Sequence, residues 1–195
     1  MQLWTRLTSL LFHAATAMAL CACSRGASSP FAVRSASIER GTLAAQLDWR
    51  PSALMLDALD HGIALDFEVT LEAEGAPWLG WRSHVGHATF RRELRYFPLT
   101  RQYQMRDPKN DGARPGETRN YAARASLIAA ISDLRLDLPP DWIVADKSSL
   151  VERYTLRVDL QRDNLPGALR LPALIDADWR LSTGIYAWPA TPNAG

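Results

Sequence analysis

Cys21 and Cys23 are the only cysteines in 195 residues, and two thiols one residue apart could be a disulfide, a metal grip or a lipid acceptor. A disulfide between them would close a small, strained ring. Two thiols alone fall short of the three or four protein ligands that zinc takes. The string Leu20-Cys21-Ala22-Cys23 instead matches a bacterial lipobox, with Leu at −3, a small residue at −1 and Cys23 as the acceptor. Upstream, Arg6 supplies a positive n-region, and the 16 residues Leu7 to Ala22 are mostly apolar or small, too short for a membrane span of about 20. A signal peptide over 1–22, lipid attachment at Cys23 and a Gly/Ser/Pro tether over 23–30 are therefore expected. Ser24 after the acceptor directs such a protein to the periplasmic side of the outer membrane. Ordinary signal-peptidase cleavage, for instance after Ala17-Met18-Ala19, is the alternative and would leave a soluble periplasmic protein.

Other residues with reactive side chains assemble into no site at this level. His84 and His87 lie three apart, which puts their rings on opposite faces of a strand. No cysteine or carboxylate pattern completes a site beside them in sequence, so exposed histidines are expected and no metal. Asp107-Pro108-Lys109-Asn110-Asp111-Gly112 resembles the first half of a calcium loop, but Lys109 stands where Asp or Asn belongs and Thr118 where Glu belongs, and a turn is expected. Gly80-Trp81-Arg82-Ser83-His84 lacks the second glycine of a nucleophile elbow. Walker and dinucleotide fingerprints are absent, so no cofactor and no enzyme activity are expected beyond the residual chance of a cryptic hydrolase. Pro77-Trp78-Leu79-Gly80-Trp81 puts two tryptophans in a connection between strands. They either fold back onto the core or form a partner or lipid-interface patch, and Trp78 and Trp81 are the candidate interaction residues.

The elements that must carry these residues follow from periodicity. Ile63, Leu65, Phe67, Val69 and Leu71 alternate with polar residues, as do Tyr154, Leu156, Val158 and Leu160, and Leu43, Ala45, Leu47 and Trp49. Such segments are strands with one dry face. Phe31 to Arg40 is a further strand whose apolar phase slips between Val33 and Ile38, predicting a bulge. Phe90 to Tyr96 and Leu99 to Arg106 form one long strand or two pieces about Pro98, and Trp179 to Trp188 is the last strand, bulged at Thr183-Gly184. Ser52 caps a helix over Ala53 to His61, closed by Gly62, with Leu56 and Leu59 on its apolar side. Ala123 to Leu134 is a second helix with Leu127, Ile128, Ile131 and Leu134 on one stripe. The expected fold is α+β, a curved antiparallel sheet of about six or seven strands with two packed helices, in a single domain over 31–189 followed by a disordered tail at 190–195. A β-sandwich with helical insertions is the alternative.

Composition narrows the partners. The chain has 22 Lys and Arg against 21 Asp and Glu, and Arg6 is the only charge ahead of Cys23, so the remainder balances to zero. There is no electrostatic footprint for nucleic acid. A domain of this length buries about 70% of its unfolded surface and needs no disulfide.

Tyr154-Thr155-Leu156-Arg157-Val158-Asp159-Leu160, the run Leu165-Pro166-Gly167-Ala168-Leu169-Arg170, and the closing Asp178-Trp179-Arg180-Leu181-Ser182 with Tyr186-Ala187-Trp188-Pro189 together resemble the proteobacterial DUF 4390 family. Ala58-Leu59, Gly62-Ile63-Ala64-Leu65, Leu94-Arg95-Tyr96 and Leu99-Thr100-Arg101-Gln102-Tyr103 fit the same pattern, from about Ile38 to Pro189. The resemblance implies an exported domain of unknown function with no assigned enzyme activity. Its genes often lie near those of a membrane sensor kinase and response regulator, which implies an envelope signalling partner. The expectation is a cell-envelope lipoprotein acting as a non-enzymatic interaction or signalling accessory, held to the membrane by its N-terminal lipid; a carrier or sensor of a small apolar or lipid ligand is the alternative. Arg157 lies on the wet face of its strand, so either it is a surface or ion-paired residue worth little, or one of Arg157 and Arg170 pairs with Asp159 or Asp178 to fix the last strands.

Overall fold

The long period-two segments fold as antiparallel strands because only that pairing buries one face of each and leaves the other wet. The structure, a computed structural model, describes residues 29–78, 81–107, 117–143, 150–167, 169, 173 and 175–190. The leader, Cys21, Cys23 and most of the tether, the loop 108–112, Arg170 and the tail 191–195 lie outside the described residues. Strands β1 (Phe31–Glu39) and β2 (Thr42–Trp49) precede helix α1 (Ala53–Asp60). Strands β3 (Leu65–Trp78), β4 (Trp81–Phe97), β5 (Gln102–Arg106) and β6 (Thr118–Tyr121) form a meander. Helix α2 (Arg124–Ser132) runs directly into β7 (Asp133–Asp137), and β8 (Arg153–Leu160) and β9 (Tyr186–Pro189) complete the order.

The fold is α+β with antiparallel sheets, as the alternation implied. The described strands form a six-stranded sheet, β6-β5-β4-β3-β8-β9, and a three-stranded sheet, β1-β2-β7. The inner faces of both sheets belong to one core. Its aromatic centre is Phe31 of β1, Trp49 of β2 and Phe67 of β3, with Phe67 edge-on to both at 5.9 and 5.3 Å between ring centroids. Leu65, Phe67, Val69 and Leu71 of β3 and Leu156, Val158 and Leu160 of β8 are all buried in that core, on the predicted faces. Helix α1 starts where expected, with Met55 N–H donating to Ser52 Oγ at 3.2 Å, and Gly62 follows it at φ +80°. No helix among the described residues is long and apolar enough to cross a membrane.

Several boundaries differ from the sequence expectation. The second helix ends at Ser132, and Leu134-Arg135-Leu136-Asp137 pairs with β2 as β7. Helix α1 buries Met55 and Ala58 with Leu59, while Leu56 is only half-buried. The segments around Pro98 are two strands folded back on each other, because Arg101 takes a left-handed turn conformation at φ 53°. Short β6, beyond the loop after Asp107, lacks an apolar alternation that would mark it. The last strand is confined to Tyr186–Pro189. Trp179 sits instead in a 3-10 turn, Ala177–Trp179, and is 1% exposed. Between them Thr183 stays tied to β8, its N–H donating to Val158 O and its Oγ1 accepting from Val158 N–H, both at 3.0 Å. The bulge in β1 falls between Val33 and Ser35.

Two polar groupings tie neighbouring elements together. Arg92, on the inner face of β4 and 2% exposed, grips Asp107 with bonds of 2.6 and 3.0 Å. That engages Asp107 structurally, while the turn expected over 108–112 lies outside the described residues. Asp60 of α1 accepts from Tyr103 Oη at 2.7 Å and pairs with Arg124 of α2. The Tyr103 phenol is pushed up to about 12, first by burial and then by the Asp60 carboxylate.

Candidate functional site

The outer face of the β3–β4 hairpin carries the residues that chemistry would use. Over Leu65 to Ala73 the two strands pair without interruption, Leu65 opposite Leu94 and Ala73 opposite Gly86. The next pair is Glu74 opposite His84, which leaves Val85 as an extra residue on β4. This bulge changes the phase of the strand. Val85 and Gly86 both turn inward and are buried, while His84 and His87 both emerge on the outer face. Their ring centroids are 6.0 Å apart. The expectation that spacing three separates the two rings therefore fails here, because it assumes a regular strand.

The carboxylate that sequence inspection missed comes from across the sheet. Glu72 is the register partner of His87, and its Oε1 lies 3.9 Å from His87 Nδ1. One donor atom from each of Glu72, His84 and His87 can be chosen so that all lie within 4.8 Å of one another. Thr89 Oγ1 sits 2.9 Å from His87 Nε2. Twelve positions separate Glu72 from His84 in the chain, so no local motif could announce the group.

The backbone beneath the histidines is held from below. His87 N–H donates to Trp142 O at 3.1 Å, and Gly86 forms an isolated bridge with Ile143. A Cβ on Gly86 would stand 2.6 Å from Trp142 O, so only glycine allows this approach. The neighbouring Glu74 is already engaged by Arg153, whose Nε donates at 2.9 Å, with Arg82 at 3.8 Å. Glu72 has no arginine on it among the described residues.

Beyond the bulge the hairpin runs on to Trp78 and Trp81, which are register partners at its tip. Trp81 is 81% exposed. The side chain of Trp78 lies outside the described set. Trp81 thus does not fold back onto the core, the first of the two alternatives for this stretch. Leu150 is also exposed at this end, its carbonyl lying against Gly75.

On the same outer face a cleft of about 580 Å3 lies between β3, β8 and the 179–185 segment. Glu68, Glu72, Arg157, Asp159, Arg162 and Arg180 are among its lining residues. Arg157 Nε contacts Asp159 Oδ2 at 2.7 Å, a pairing that fits either reading of Arg157, and Arg91 lies 3.6 Å from Glu68. The cleft is charged and largely self-neutralised, not an enclosed apolar chamber.

An antiparallel α+β domain with this surface defines a class by architecture alone. The family model described as "Domain of unknown function (DUF4390)" matches residues 29–189, and the chain belongs to that family. No curated protein and no solved structure matches the chain.

Proposed function

We propose that the protein is an exported lipoprotein, acylated at Cys23 and held at the periplasmic face of the outer membrane, whose folded domain works as a non-enzymatic interaction or signalling accessory for another envelope protein. A membrane sensor kinase is one such partner. The observation that supports the interaction reading is Trp81, a large aromatic projecting into solvent at the end of a hairpin whose base is locked in the core. Exposed tryptophan at the end of a hairpin suits a contact hot spot, since it offers large area at little conformational cost. The charged lining of the cleft lends no support to a carrier of apolar ligands.

Two experiments test the two parts. Fatty-acid labelling in cells should give an acylated product that Cys23→Ala abolishes and Cys21→Ala leaves intact; soluble, unlabelled mature protein from the unaltered gene would remove the anchor. Each buried acyl methylene contributes about 0.8 kcal/mol, so several chains hold the protein permanently. Crosslinking in intact envelopes should give a discrete adduct that Trp81→Ser weakens. An adduct pattern unchanged by that substitution rules out the tip as the contact.

A further inference from the structure

The bulged segment of β4 supports an inference independent of the interaction reading. We propose that Glu72, His84 and His87 bind one divalent transition-metal ion of the zinc type, with a fourth position open to water or to a donor from outside the chain.

The donor set is the first argument. Two imidazoles and one carboxylate suit borderline ions such as zinc, and three protein ligands with one open position is a recurrent zinc arrangement. The separations are the second. Zinc–ligand bonds of about 2.0–2.1 Å in tetrahedral geometry set neighbouring donors about 3.4 Å apart. The 3.9 Å between Glu72 Oε1 and His87 Nδ1 is too long for a hydrogen bond and near that separation. Small rotations of half-exposed side chains close the remainder, as Glu72 and His87 are 37% and 49% exposed.

The surroundings are the third argument. Thr89 engages His87 Nε2, which leaves Nδ1 turned toward Glu72, the outer-shell arrangement that orients a metal-bound imidazole. The backbone of the bulge is fixed by Trp142 and Ile143. Glu74 is neutralised by arginine while Glu72 is left to the histidines. The bulge is the device that brings both rings to one face, and without it the donors could not converge.

The test uses the full-length chain without an affinity tag and Co2+ as the spectroscopic stand-in for zinc. The expected result is one Co2+ per chain, with a visible absorption band that Zn2+ displaces. His84→Ala, His87→Ala and Glu72→Gln should each weaken binding more than about tenfold, and Thr89→Val by about tenfold. Cys21→Ser/Cys23→Ser and His61→Ala should leave it unchanged. A variant-free measurement runs beside it: in the unsubstituted protein, sub-stoichiometric Cu2+ should broaden the imidazole resonances of His84 and His87 before those of His13 and His61. Absence of Co2+ binding tighter than about 1 mM, binding that survives the His84→Ala/His87→Ala double substitution, or earlier broadening at His61 or His13 would each overturn the proposal.

Discussion

The two halves of the β3–β4 hairpin obey different rules. From Leu65 to Ala73 every inward residue of β3 is at most 2% exposed, the register is unbroken, and the smaller sheet covers it through Phe31 and Trp49. From Glu74 onward the register shifts twice and the strand ends beside an exposed Trp81. Slipping the first half by one residue would move its whole apolar row into water, so burial pins it. The second half lacks that constraint along much of its length, and there a bulge is tolerated that re-aims His84 toward His87. The comparison teaches that the core half serves as a foundation and the distal half as a presenting arm, with Val85 marking the change.

The sharpest way to break this division is at the foundation. Phe67→Ala removes the ring shared by both sheets and should cost about 3–5 kcal/mol in chemical unfolding. A loss below about 1 kcal/mol would mean that the dry face does not depend on the ring stack. Next comes the joint between the halves. Gly86→Ala forces a methyl onto the Trp142 carbonyl, and backbone on both sides cannot yield cheaply. It should cost about 1–3 kcal/mol and loosen the bulge, seen as faster amide exchange at His87. Unchanged exchange would show that the clamp is not what holds the two histidines together.

A smaller effect is expected on the wet face. Arg157 and Asp159 touch at 2.7 Å, but Arg157 is 53% exposed. A double-mutant cycle should give a coupling of about 0.2–1 kcal/mol. Coupling well above that range would make the outer face a structural contributor. The smallest effect belongs to the arm's tip, where Trp81→Ser should change stability by no more than about 0.5 kcal/mol. A larger loss would place Trp81 in the foundation and erase the contrast between the halves.

Much of this molecule was readable along the chain. Period-two alternation puts Leu65, Phe67, Val69 and Leu71 on one face whatever they meet, because successive Cβ atoms must alternate across a strand. Ser52 and Gly62 bracket α1 through local bonds and a local φ, so their roles also needed nothing distant. The antiparallel α+β class follows from those two periods. The assignment of Leu134 and Leu136 was harder, since the stripe of α2 runs into the alternation of β7 and both patterns share Leu134. Pairing with β2, some ninety residues earlier, decided it.

Other features were decided only in three dimensions. Trp179 is buried by a short 3-10 turn that follows no apolar period. Arg92 is a charged residue that takes an apolar position on the inner face of β4, where Asp107 pairs with it. Glu72 joins His84 and His87 because cross-strand register sets it opposite His87 and a single extra residue rotates His84 into view. Periodicity is a property of neighbouring residues and travels with the chain. Register, bulges and cross-strand partners depend on which distant segments bury each other, and that is settled by the free energy of the whole core.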